Sequence, residues 1–285
     1  EGESVSMEVL LNGRFVPYRE ATVAVDDRGF QFSESVYEVI RVYRGRPFEM
    51  ERHMRRFQAS ADAIGLELKP GVDDLAAAAR ELLRRSGLQE AFIYLQATTG
   101  AAPRIHLRPE GLEPTVLAMV SPATPPPQRW LAEGISAITV PDDRWARCYV
   151  KTTMLLPNTL AKRRAVEAGC DDAIFVRDGF VTEATAGNVF ALVGGTLATP
   201  PRSNYILHGV TRDVVLELAA GMGMPATEGP IPVERLYAAE EVILTATGFD
   251  LLPITTIDGR RIGTGRPGDA FARLLDAYRR RTSGE

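Results

Sequence analysis

The chain has 285 residues, 45% hydrophobic and 25% charged, the balance of a globular protein with room for two ordinary domains. A formal net charge of -4 argues against a general nucleic-acid binder, whose affinity would lean on excess positive charge. No apolar run approaches the ~18 residues of a membrane span, and the N-terminus lacks a basic-then-apolar signal layout, so neither nucleic acid nor membrane is expected as a partner. Glu1 to Ser6 reads as an extension ahead of a start at Met7 and is not counted toward the fold.

In chain order, residues 8 to 17 predict a hairpin around the turn pair Asn12-Gly13. Val23 and Val25 alternate with polar neighbours as a further strand. Val36 to Tyr43 is rich in β-branched and aromatic residues and ends at Arg44-Gly45-Arg46, which predicts strand, turn, strand. Met54, Phe57, Ala61 and Ile64 recur at helical spacing and mark a helix from about Glu51. A second helix, Asp73 to Arg85, is expected to be capped by Asp at its start and Gly87 at its end. Phe92 to Thr98 and Thr115 to Val120 return to strand character. The first half is therefore expected to be an α+β domain, residues 1-120, with mainly antiparallel pairings.

Ser121-Pro122-Ala123-Thr124-Pro125-Pro126-Pro127 predicts an extended linker at 121-128, because consecutive prolines cannot donate ladder hydrogen bonds. The second domain, 129-285, opens with a strand at Ile135 to Val140. A helix from about Leu160 to Ala168 follows, interrupted upstream by Pro157. Strands are expected at Ala173 to Val176, around Val181, at Val189 to Leu192 and at Val242 to Thr245. An amphipathic helix begins just after Gly209, and a closing helix covers Ala270 to Arg281.

Cys148 and Cys170 are the two cysteines, without CxxC spacing, and His53, His106 and His208 are scattered. Neither a disulfide framework nor a metal site is expected, and the thiols read as reduced ones in a cytoplasmic protein. The lysines are more telling. Of 33 basic residues only Lys69, Lys151 and Lys162 are lysines. Arginine stays protonated in a protein, so covalent amine chemistry is confined to those three positions. Lys151 follows a strand and precedes a helix, where a side chain can enter a cleft, although a strand-end surface charge fits the same place. Lys162 reads as part of a solvated basic face and Lys69 as a turn residue. From position alone, Arg56 falls on a solvated helix face and Glu183 is a solvent-exposed strand-end carboxylate. Gly209-Val210-Thr211 can cradle a phosphate on free helix N-H groups, or simply start a helix. Arg104-Ile105-His106 can grip a carboxylate, or be a loop with two exposed positive residues.

Together these segments resemble a known family. Asp27-Arg28-Gly29-Phe30-Gln31-Phe32, Val36-Tyr37-Glu38-Val39, His53-Met54-Arg55-Arg56-Phe57, Leu160-Ala161-Lys162, Val181-Thr182-Glu183 with Asn188-Val189-Phe190, and Gly209-Val210-Thr211-Arg212-Asp213 are similar to class IV aminotransferases, the fold-type IV enzymes that use pyridoxal 5'-phosphate (PLP). The similarity runs from about Val9 to the final helix. Pro103-Arg104-Ile105-His106 resembles the carboxylate-trap loop of the D-amino-acid members. The resemblance implies a two-domain fold-type IV architecture with the active site at the domain interface and PLP in the C-terminal domain. It implies a Schiff base on Lys151, which also shuttles the proton between substrate Cα and cofactor, and Glu183 facing the ring nitrogen. Arg56, Val210, Thr211, Ala246 and Thr247 would stand at the phosphate, and Leu207 against the ring. Tyr37, Val39, Arg104 and His106 would bind substrate. It further implies a homodimer in which the Arg104/His106 loop comes from the partner subunit, and transamination between D-amino acids, such as D-alanine and D-glutamate, and 2-oxo acids.

Some positions depart from the family pattern. Ser33-Glu34-Ser35 stands where relatives tend to carry glycines around an acidic residue, and Thr99 where an arginine is frequent. Ala184-Thr185-Ala186-Gly187 replaces a Gly/Ser-rich stretch, and Ala246 lacks a hydroxyl that relatives can offer the phosphate, worth on the order of 1 kcal/mol in cofactor retention. Three other readings compete: a branched-chain L-amino-acid aminotransferase, a lyase similar to aminodeoxychorismate lyase, and a non-enzymatic PLP-binding protein. The first has no reason to keep Arg104-x-His106, and the last could dispense with Lys151 or Glu183.

Overall fold

A computed structural model describes residues 8 to 284; Glu1 to Ser6 and the start at Met7 lie outside the described residues. The chain packs as two compact units. One takes the residues up to Thr124 together with Val150–Met154, and the other takes Pro125–Tyr149 and the chain from Leu155 onward.

In the first unit the elements are β1 (Glu8–Leu11), β2 (Arg14–Pro17), α1 (Arg28–Phe32), β3 (Ser35–Tyr43), β4 (Arg46–Pro47), α2 (Met50–Ala63), α3 (Val72–Ser86), β5 (Ala91–Thr98) and β6 (Thr115–Pro122). They form a six-stranded sheet in the order β2-β1-β6-β5-β3-β4, antiparallel at every pairing. The first hairpin turns where expected, with Asn12 and Gly13 both at positive φ (48° and 77°), the twist a two-residue turn needs. β3 alternates strictly: Val36, Glu38, Ile40 and Val42 are fully buried, while Tyr37, Val39 and Arg41 point to the other face. Helix α2 covers the buried face through Met54, Phe57 and Ala61, with α3 beside it.

The second unit comprises α4 (Gln128–Ala132), β7 (Ile135–Pro141), α5 (Leu156–Glu167), β8 (Asp172–Arg177), β9 (Phe180–Ala184), β10 (Asn188–Val193), β11 (Thr196–Thr199), α6 (Val210–Gly221), β12 (Ala226–Glu228), α7 (Val233–Tyr237), β13 (Glu241–Ala246), β14 (Asp250–Ile257), β15 (Arg260–Arg261) and α8 (Asp269–Ser283). Its nine-stranded sheet runs β12-β11-β10-β13-β14-β7-β8-β9, with β15 on β14. The pairs β14–β7, β7–β8 and β11–β12 are parallel and the rest antiparallel. Ile135, Ala137, Ile174, Val181, Val189, Leu244 and Ile254 form its main core. Ala161 and Ala165 of α5 pack on Val140, Ala173 and Phe175.

The structure corrects several expectations. No strand forms at Val23 and Val25, whose side chains are exposed and find no ladder to join. The cap of α3 is Gly71, not an aspartate; Asp73 and Asp74 sit in the first turn, where carboxylates complement the helix dipole. Pro157 does not interrupt α5 but starts it, since proline costs a first turn no hydrogen bond. The prolines at 125 to 127 do precede α4, yet Pro122 still belongs to β6.

Candidate active site

In the first unit, β4 pairs only with Val42 and Tyr43, which leaves the opening stretch of β3 with a free edge. Val150–Met154 takes that edge. Thr152 bridges Val36, the Tyr37 amide donates to the Lys151 carbonyl at 2.9 Å, and the Thr153 amide to the Ser35 carbonyl at 3.2 Å. The Lys151 amide in turn donates to Ser60 Oγ of α2 at 3.1 Å. The backbone of Lys151 is therefore held on both sides, and its Nζ sits 4.3 Å from the centre of the Tyr37 ring. Of the three lysines, Lys151 is the one fixed at a sheet edge; Lys69 pairs with Glu67 in the open and Lys162 is half-exposed on α5.

Tyr37 and Val39 share the face opposite Glu38. Tyr94 of β5 stacks on Tyr37 at 5.8 Å and donates its hydroxyl to Gln96 Oε1 at 2.8 Å. Burial pushes the Tyr94 hydroxyl up to about 12, with Tyr37 adding to the shift, so it remains a donor at any physiological pH.

Arg56 is not on a solvated face. Its guanidinium forks onto Glu38, with Nε to Oε2 at 2.9 Å and Nη2 to Oε1 at 2.7 Å, and His53 Nδ1 lies 3.0 Å from the same Oε1. Burial alone pushes the Glu38 carboxyl up, but Arg56 and His53 overcome it and hold the group far below the usual carboxylate range. His53 is lowered, chiefly by burial, against the pull of Glu38. A buried carboxylate with one cation and one neutral ring fixes the Arg56 head in a single orientation. Arg104 and His106 lie on the exposed loop after β5, gathered about one ring: the Arg104 Cζ is 5.2 Å and the His106 ring 5.8 Å from the centre of Phe32.

In the second unit Glu183 is buried within β9, not solvent-exposed. One oxygen accepts from Arg144 Nη1; the other accepts from the Leu207 amide at 2.8 Å and Asn188 Nδ2 at 3.3 Å. Burial pushes the Glu183 carboxyl up against these donors. Arg144 cannot fully offset it, because the same guanidinium forks onto Asp142 at 2.9 Å through both Nε and Nη2. The result is a fixed carboxylate that is a stronger base than a solvated one.

Asn188 ties this carboxylate to the next element. It donates to the Leu207 carbonyl at 2.9 Å, and its Oδ1 would stand 2.1 Å from a Cβ placed on Gly209, so only glycine fits there. Gly209 is the N-cap of α6, and no side chain caps the helix. The amides of Val210 and Thr211 thus open α6 without a side-chain acceptor, beside Asn188 and its β13 partner Thr245; Ala246 and Thr247 follow directly. This donor set fits PLP: a buried carboxylate suits a ring nitrogen, and an uncapped helix start suits a phosphate.

Several supporting residues escaped the sequence reading. Glu38 stands in the Val36-Tyr37-Glu38-Val39 motif without a role of its own assigned, and Arg144 is one of thirty arginines with no motif around it. The alternation of β3 was the available signal, since it puts Glu38 on the same face as Val36 and Ile40.

A family model described as amino-transferase class IV matches residues 35–257. A D-alanine aminotransferase of Bacillus licheniformis is 40% identical over 92% of this chain and 92% of its own. One from Staphylococcus epidermidis is 38% identical over 95% and 96%. Among solved structures, an Escherichia coli branched-chain amino acid aminotransferase aligns with a TM-score of 0.90 at 27% identity, covering 96% of this chain and 93% of the other. The branched-chain enzyme of the archaeon Thermoproteus uzoniensis, solved with norvaline, aligns at 0.89 with 32% identity, over 98% and 95%. The mixed α/β architecture is that of these aminotransferases, and the chain belongs to the class IV aminotransferases, a family of PLP-dependent enzymes.

Proposed function

We propose that this enzyme transfers amino groups between D-amino acids, D-alanine and D-glutamate among them, and 2-oxo acids. The observation that carries the reading is the Arg104-Ile105-His106 turn, two donors gathered about the Phe32 ring in a chain 40% identical to a D-alanine aminotransferase. The branched-chain alternative has the support of fold likeness at 27 and 32% identity, and it leaves the turn without a role.

Bound PLP supplies an aldehyde that takes up the amino group and a ring that accepts the electron pair released at Cα. The rest falls to side chains of this protein. Lys151 holds the cofactor through its amine and, once released, carries the proton to and from the substrate Cα. Glu183 keeps a proton on the ring nitrogen, a task suited to a carboxylate that Arg144, Asn188 and the Leu207 amide hold in place as an anion. Arg56, oriented by Glu38, joins the amides of Val210 and Thr211 and the Thr247 hydroxyl at the phosphate, where Ala246 contributes backbone only. Leu207 packs on the ring. Tyr37 and Val39 line the substrate side, and Arg104 and His106 grip the α-carboxylate. In a homodimer the turn of one copy serves the site of the other, and the exposed Ile105 and Leu107 beside it suit such a contact. Among the described residues no helix is long and apolar enough to cross a membrane. The reading places the enzyme in the cytoplasm, where Cys148 and Cys170 would stay reduced.

The test is a spectrum. Mixing the PLP-loaded enzyme with D-alanine or D-glutamate should bleach its visible band, while L-leucine and L-glutamate react far more slowly. Fastest bleaching by L-leucine would establish the branched-chain reading instead. A companion experiment concerns the ring nitrogen: Glu183→Gln should retain PLP but slow the half-reaction by about 100-fold or more, since a neutral amide cannot hold the proton there. A variant as fast as the parent would place that role on another residue.

A further inference from the structure

The Arg104–His106 turn is exposed, yet it is anchored from beneath by a buried cation that the reaction does not use. Arg28 of α1 is fully buried. Its Nη1 donates to the Ile105 carbonyl at 2.8 Å and its Nη2 to the His106 carbonyl at 3.2 Å. The other side of the same guanidinium forks onto Glu34, Nε to Oε2 at 2.9 Å and Nη2 to Oε1 at 2.7 Å. Thr99 Oγ1 donates to Glu34 Oε2 at 2.7 Å. The Arg28 Cζ lies 4.6 Å from the Phe32 ring, the ring that also receives Arg104 and His106.

The backbone prepares this clamp. Asp27 caps α1 through Gly29 and accepts the hydroxyls of Thr98 and Thr115 at 2.9 and 2.6 Å, fixing α1 against the ends of β5 and β6. The Arg28 amide donates to Gly100, and Thr99 donates to the Glu34 carbonyl. Glu34 and Thr99, two of the departures from the family pattern, thus meet each other and meet Arg28. Four of the five guanidinium protons of Arg28 are used in this way, and a lysine amine could not reach both carbonyls and both carboxylate oxygens at once.

We propose that Arg28, held by Glu34, is a positioning residue that sets selection of the substrate carboxylate by fixing the backbone of the Arg104–His106 turn. This rests on the reading of that turn as the carboxylate grip. The pair acts through geometry: Arg28 touches carbonyls, not substrate, and a displacement near 1 Å at the grip is worth up to about 100-fold in rate.

The experiment compares D-alanine with isopropylamine, which is the same amine with a methyl group in place of the carboxylate. In PLP-loaded enzyme, Arg28→Lys should raise the KM for D-alanine about 10- to 100-fold and leave the single-turnover rate with isopropylamine unchanged. Without cofactor, amides 105 to 108 should exchange hydrogen faster in the variant, while the amides of β3 and β5 exchange as in the parent. Equal losses toward both amines would mark general damage and overturn the proposal, as would an unchanged KM. If Arg28→Lys does not fold, Glu34→Gln, a partly exposed position, is read by the same measurements. Arg104→Ala separates the two layers. If it raises the KM for D-alanine while Arg28→Lys does not, this inference alone fails. If it too is silent, the carboxylate reading fails and the inference with it.

Discussion

Lys151→Ala should abolish transamination and remove the visible absorption that the cofactor gains on joining the lysine. Lys151→Arg should fail as completely, although it preserves the charge. A guanidinium neither condenses with an aldehyde nor gives up a proton near neutral pH, so it can neither hold the cofactor covalently nor move the Cα proton. The Lys151 main chain is secured by the Tyr37 amide and Ser60 Oγ, and neither contact uses the side chain. Both variants should therefore fold, with melting curves close to that of the parent. Their loss should reach several orders of magnitude, because each 1.36 kcal/mol lost from transition-state stabilisation is about tenfold and this one residue supplies both the covalent tether and the general base. Activity near the parental level in either variant would remove Lys151 from the reaction.

Lys151 was legible in the sequence for a chemical reason: a chain that meets its need for positive charge with arginine makes its few lysines conspicuous. The helix after Gly209 was legible because its apolar positions recur with the helical period and glycine marks its start. Other parts were hidden by physics that no local window contains. Helix α1 is five residues long, too short for any period to show, and it exists because Asp27 and Arg28 find partners seventy residues and more downstream. Strand β14 carries Pro253, which argues against a central strand; its pairing with β7 begins only at Ile254, so the proline faces a single hydrogen-bonding neighbour. Glu183 and Arg56 read as solvated charges because burial of a charge depends on a partner supplied by tertiary structure. Arg144 provides it for Glu183, and Glu38 for Arg56. The resemblance to class IV aminotransferases gives both positions an expected role at the cofactor, but the residues that hold them in place came only with the fold.

Arg104→Ala should cut kcat/KM for D-alanine and D-glutamate by about 2–5 kcal/mol, the range for losing one partner of a desolvated charged contact. That is roughly 30-fold to a few thousand-fold. The loss should leave the visible spectrum of the bound cofactor unchanged, because Arg104 sits on the loop after β5, and none of the residues assigned to the phosphate or the ring lies on that loop. Removing the side chain leaves the turn itself intact, since Arg28 holds the carbonyls of Ile105 and His106 and not the Arg104 head. His106 and Tyr37 would remain, so binding should weaken without vanishing, and the residual preference between enantiomers should shrink with it. A carboxylate gripped from one side leaves one orientation in which the Cα-H points toward Lys151; once the grip loosens, both orientations become accessible. The ratio of D-alanine to L-alanine rates is therefore the sharper readout. It should fall in the variant even where the absolute rates are hard to compare. A variant that retains both the parental kcat/KM and the parental ratio would take the grip away from Arg104 and reopen the branched-chain reading.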